Sequence, residues 1–232
     1  MNSSAAHPLS LLHLCDSLFP TGSFTYSDGL EWAARDVRNG AGLRQWLDVC
    51  LNDTFRRSDG PALLRARFAF DAGDDQALLE VDDELMALRP SSSVRAAARS
   101  MGRRLLSTWH DLHPDVRLAR LLDLARDAGR SSGFPAFPVA FGIVSGSAGL
   151  DPRDALAGFA YSRLASTVSA AMRVMSIGQS EAHLLLARIL EGVPAVADGV
   201  VARGDAPLES FSPAFDIAQM SHQYLHSRLF RS

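Results

Sequence analysis

Apolar residues recur along this chain at the spacing of an α-helix almost from end to end. Leu43, Trp46, Leu47, Cys50, Leu51, Thr54 and Phe55 fall at i, i+3, i+4, i+7, i+8, i+11 and i+12. That is one stripe of an amphipathic helix facing a core. Start and stop signals divide the rest in the same way. Ser27 or Asp28 stands where it can cap a helix through Leu30, Trp32 and Ala33. Asp59 precedes Pro61 and an Ala/Leu/Arg helix, and Asp74 opens another toward Leu88, stopped by Arg89-Pro90. Ser91 to Ser93 cap Val94 to Trp109, and Pro114 starts a helix ending at Gly129. Asp151-Pro152 opens a long helix from Arg153 to Met175. Gly178 precedes a helix that Gln179 or Ser180 is placed to cap. Val193 to Val201 reads as short helix or loop, and the longest irregular stretch is expected at Ala128 to Pro138. No segment argues for a strand. The expected fold is all-α: a single compact bundle of about ten to twelve helices, one domain over residues 1–232. Residues 1–8 and 226–232 are the segments expected to be flexible in the free protein.

A chain of 232 residues is long enough to bury roughly 70–75% of its unfolded surface without disulfides or a structural metal. All 23 basic side chains are Arg, and Lys is absent. That excludes Schiff-base lysine chemistry and a P-loop, whose lysine reaches the β/γ-phosphates. A net charge of −3 argues against nucleic-acid binding, which needs a basic surplus. Cys15 and Cys50 sit in apolar helical surroundings with no C-x-x-C, and read as small buried hydrophobes. The N-terminal residues have no basic region followed by a signal core. Ser131 to Leu150 is apolar but too broken by Gly, Ser and Pro to span a membrane. A cytoplasmic location and no membrane contact are expected.

Candidates for chemistry are few. His222 and His226 share a face if the tail is helical, and are the candidate metal ligands, though a third is missing. His110 and His113 flank a turn, and His183 reads as a core histidine. Asp82-Asp83-Glu84 is similar to the Mg²⁺-holding motifs of helical prenyl-transferring enzymes. Without a second acidic cluster it reads as a solvated helix face. No G-x-S-x-G or G-x-G-x-x-G occurs, so neither a catalytic residue nor a cofactor is assigned. Ala165, Ser166, Ser169, Ala170 and Ala171 let helices approach closely, and Arg163 and Arg173 interrupt that surface as braces or as interface groups. Two segments ask for burial or a partner. One runs from Asp16 to Glu31; the other holds Tyr224, Leu225, Arg228, Leu229 and Phe230.

Phe19 to Glu31 (FPTGSFTYSDGLE) resembles the N-terminal signature of the urease accessory protein UreF family. Arg99 to Leu106, Pro138 to Gly142, Arg173 with Gly178-Gln179, and Asp216 to Ser232 match further segments of that family in order. Tyr26 and Phe137 stand where many members have His, and Asp28 where many have Gly. The resemblance implies a dimeric, non-enzymatic, all-helical chaperone of nickel insertion. It implies binding to UreD (UreH) and the GTPase UreG in a complex that acts on apo-urease. Carried over by position, Phe24, Tyr26, Glu31 and Arg228 belong near the UreG-facing surface. Tyr224, Leu229 and Phe230 are expected to help dock UreD or to order the surface that does, and Arg173 and Gln179 to support the interface near the dimer axis. The alternative is a small helical metal-dependent enzyme with a central pocket.

Overall fold

The computed structural model describes residues 6–126 and 133–231, apart from the side chains of Ala6, His7 and Phe24. Every regular element among them is helical. α1 (Ala6–Cys15) leads through a 3₁₀ turn (Ser23–Thr25) to the short α2 (Leu30–Ala33). α3 (Gly40–Val49), a π-helical segment (Cys50–Asp59) and α4 (Gly60–Ala72) follow without a break. Then come α5 (Asp75–Ala87), α6 (Ser92–Leu112) and α7 (Val116–Arg126). After the undescribed residues 127–132 stand α8 (Phe137–Ser147), α9 (Pro152–Val174), α10 (Gln179–Leu190), α11 (Val193–Arg203) and α12 (Pro213–Ser221). A last 3₁₀ turn covers His222–Tyr224. None of these helices is long and apolar enough to cross a membrane.

The all-α expectation therefore holds, and three expected caps are present. Asp74, Ser91 and Asp151 each accept a backbone N–H of the helix they precede, as does Asn39, which had not been expected to. Glycine takes the place of the expected polar cap at two starts. Gly29 precedes α2 and Gly178 precedes α10, neither with a side-chain cap bond. The irregular stretch expected to reach Pro138 ends earlier, because Pro138 sits in the first turn of α8, where its missing N–H is not needed.

α8 is apolar on every side, and Phe137 through Ser145 are all buried. Such a helix has to be covered all round. It packs mainly on α4 and α6. The approach of α4 is so close that a Cβ at Gly142 would stand 2.3 Å from the Leu63 carbonyl oxygen, which only glycine permits. α9 closes the core from another side. Phe159 lies 5.4 Å from Phe137, 5.2 Å from Phe141 and 6.3 Å from Phe55, ring centre to ring centre.

Asp59 does not begin a helix as its position before Pro61 suggests. The chain passes through it in a wider π turn, where the Gly60 N–H reaches back to the Phe55 carbonyl. Pro61 has no N–H to give the Arg57 carbonyl four residues back. The Glu209 N–H donates to that carbonyl instead, at 3.0 Å. The 204–212 loop is thereby tied to the helix. Asp59 itself is buried and paired with Arg89.

The acidic run Asp82-Asp83-Glu84 is not a solvated face. Asp82 is fully buried, accepts the Ala136 N–H at 2.7 Å and pairs with Arg99. Glu84 accepts from Arg65 at 2.7 Å and from the Leu208 N–H at 2.8 Å. Asp83 alone of the three faces solvent. Burial pushes the Asp82 carboxyl above its ordinary value, against the pull of Arg99 and the Ala136 N–H. His183, expected in the core, is exposed on α10.

Two predictions follow from this packing. Asp82→Ala strands Arg99 and the Ala136 N–H, and is expected to cost about 3–5 kcal/mol in urea unfolding. Burial pushes the thiols of Cys15 and Cys50 up to about 12. At pH 8 a disulfide reagent should therefore modify them at least about a hundredfold more slowly in the folded protein than in urea.

Candidate functional site

The two segments singled out at opposite ends of the sequence meet in space. The first begins at Phe19, whose buried ring lies 5.1 Å from His13 and 6.5 Å from Trp109. Gly22 and Gly29, with φ of 79° and 86°, turn the chain on either side of Tyr26, which packs partly buried on the core. Gly29 has a second duty. A Cβ there would come within 2.8 Å of the Gln219 backbone nitrogen, so glycine lets the start of α2 lie directly on the backbone of α12. Glu31, two residues later, is thereby carried to the end of α12.

Asp28 also takes a left-handed conformation, with φ 51°. Its carboxylate pairs with Arg163 of α9, so that arginine is a brace with a carboxylate partner. The Ser27 hydroxyl, one of the two expected caps, instead lies 3.4 Å from the Glu31 N–H as an acceptor.

The Glu31 carboxylate is the meeting point of both segments. One oxygen accepts the Leu229 N–H at 2.5 Å. The other lies 2.7 Å from His222 Nε2 and accepts the Phe230 N–H at 3.2 Å. The next residue, Arg231, donates its N–H to the Thr25 carbonyl at 2.8 Å. Phe230 is buried, with the Arg173 guanidinium carbon 4.5 Å from its ring centre. Thus the tail is pinned to the 3₁₀ turn, to α2 and to α9 at once.

This arrangement corrects the expectation for the tail histidines. α12 ends at Ser221, and the chain is extended by Leu225, so His222 and His226 do not share a helical face. His222 is buried against Glu31, while His226 is exposed. Among the described residues, no group of three or more His, Cys, Asp or Glu is placed to hold a metal ion.

The remaining expected site residues divide by exposure. Tyr224 is 79% exposed and Leu229 55% exposed. Arg228 is exposed and has no hydrogen bond or ion pair with any described residue. These three are exposed on a tail in which His222 and Phe230 are buried. Gln179 is exposed at the start of α10, and no hydrogen bond links it to the tail cluster among the described residues. The Phe24 side chain lies outside the described residues.

Sequence reading identified Glu31 but missed its bond to His222, because no spacing rule relates residues 191 positions apart. It also missed an apolar cleft of about 420 Å³ on the other side of α2, lined by Trp32, Val37, Trp46, Phe211 and Phe215. The exposed Phe211 was the available signal. Further exposed apolar surface lies at Leu9 on α1, and at Leu12 on α1 and Tyr161 on α9 along a groove of about 730 Å³.

Chemically, the site offers a guanidinium, a phenol and an isobutyl group on a fastened segment. Arginine and tyrosine are common anchors of protein interfaces. The motif that receives the tail is braced on α9 by Asp28 and Arg163. Asp28→Ala leaves the Arg163 guanidinium without its carboxylate and is expected to cost about 3–5 kcal/mol in urea unfolding, with Asp28→Asn costing less.

A family model described as UreF matches residues 37–190. The chain is similar to the urease accessory protein UreF of Azoarcus sp. (strain BH72), with 32% identity over 230 residues, 97% of this chain and 95% of that protein. Its counterpart in Rhodopseudomonas palustris (strain HaA2) is 34% identical over 217 residues, 92% of this chain and 89% of that one. The one in Trichodesmium erythraeum (strain IMS101) is 32% identical over 236 residues, covering 99% of both. With likeness of that extent on this helical scaffold, the chain belongs to the UreF family of urease accessory proteins.

Proposed function

We propose that the chain works as a chaperone and adaptor in urease maturation. It binds UreD (UreH) and the GTPase UreG, and the complex they form inserts nickel into apo-urease. The chain recruits UreG and modulates its GTP hydrolysis, with no turnover of its own. It acts in the cytoplasm as a homodimer, with Arg173 and Gln179 near the dimer axis.

The observation that carries this reading is the fastened tail. Tyr224, Arg228 and Leu229 are held outward on a segment whose own backbone is tied down by Glu31 and Thr25. Holding them in place before binding lowers the entropy lost on association. Arg228, with no partner among the described residues, is set to receive a carboxylate in a charge-assisted pair. We assign Arg228 with Phe24 and Tyr26 to the UreG-facing surface, and Tyr224 and Leu229 to UreD docking. The buried Phe230 supports that surface from beneath. A chain without lysine, and so without a P-loop, is suited to recruiting a GTPase rather than acting as one.

The test is Arg228→Ala in cells co-expressing urease and the other accessory proteins. Capture of UreG is expected to fall at least about tenfold, with a matching loss of nickel in urease. Unchanged capture and full nickel loading would remove the assignment.

A further inference from the structure

We propose that Glu31 is a positioning residue: its carboxylate locks residues 229–231 against the 23–31 motif, and His222 sets the carboxylate for that task. The inference deepens the adaptor reading and rests on it for the effect on recruitment. The lock itself rests on geometry alone.

Three donors converge on one carboxylate: the N–H groups of Leu229 and Phe230, and His222 Nε2. Adjacent backbone N–H groups reach its two oxygens, one each. Glu31 has only 11% of its side chain exposed, so little of it is left for a partner. His222 has 1% exposed. Its ring meets the same oxygen that takes the Phe230 N–H, which fixes how the carboxylate is turned.

The tail has little structure of its own to replace this. From Leu225 onward it follows no helical ladder, and Leu225 makes the last turn-type bond back to His222. Beyond that point, the attachments seen among the described residues include the Glu31 carboxylate, the Thr25 carbonyl and the buried Phe230 ring. Two states follow: docked, with Arg228 and Leu229 held at the surface, and released, with the same side chains on a loose strand. In this view Glu31 affects recruitment through the tail, not by touching the partner.

The test compares Glu31→Gln, His222→Leu and His222→Gln with the parent chain. Hydrogen exchange at the amides of Leu229 and Phe230 is expected to quicken at least about tenfold in Glu31→Gln and His222→Leu, since a bond to a charged acceptor is lost or misaligned. Core amides of α4 and α8 serve as the control for folding and should not change. His222→Gln keeps a donor and is expected to retain protection. Parent-like protection in both Glu31→Gln and His222→Leu would overturn the lock.

A rescue separates positioning from contact. The Arg231 N–H lies 2.8 Å from the Thr25 carbonyl, so Thr25→Cys with Arg231→Cys brings two thiols to neighbouring backbones. In the Glu31→Gln background, closing that disulfide is expected to restore UreG capture, and reducing it to abolish capture again. A closed disulfide without recovered capture would overturn the positioning role. A released tail with parent-like capture would support the lock and overturn the assignment of Arg228 to UreG.

Discussion

A helix with no polar side has to be enclosed, and α8 is the element around which the other helices are arranged. Phe137 through Ser145 are buried without exception, so α8 must be covered on all of its faces at once. α4 lies so close that only a hydrogen fits at Gly142. α9 adds Phe159 to the ring cluster of Phe137 and Phe141. α9 shares that ring cluster with α8 and packs as well on α1, α10 and α11. α9 in turn supplies Arg163 to Asp28 and Arg173 to the Phe230 ring. The demand to keep α8 out of water thus bears on the candidate site through α9.

Arginine is the only long cation in the chain, and the interior is braced with it. Asp82 with Arg99, Asp59 with Arg89, and Asp28 with Arg163 are pairs of low exposure. Pairs of this kind add little net stability over apolar packing, but they resist misplacement, since a slipped helix would strand a charge. Each joins two different elements: α5 to the adjacent α6, the π segment to the loop before α6, and the motif before α2 to the distant α9. They fix how the helices are registered against one another.

Much of this was legible in the residues. The stripe from Leu43 to Phe55 announced a helix, and Asp74, Ser91 and Asp151 marked starts that the chain uses. What escaped was decided by neighbours far along the sequence. Asp82 looks like any acidic residue on a helix until α6 brings Arg99 and the turn before α8 brings the Ala136 N–H. The Asp59–Pro61 step looks like a helix start because the N–H that satisfies the Arg57 carbonyl comes from Glu209. His222 and His226 suggest a ligand pair only if the helix continues, and it ends at Ser221. The two end segments were recognisable as special. Their pairing was not, because it depends on Gly29 bringing α2 onto α12.

Pinning residues 229–231 to residues 25 and 31 also imposes an order of events during synthesis. The helical body contains most of its own contacts and has the means to collapse while the ribosome is still adding residues. The outward surface of Tyr224, Arg228 and Leu229 has to wait until the chain is made through Arg231, some two hundred residues after the carboxylate that receives it. Partly made chains thus lack that surface however well their cores have formed.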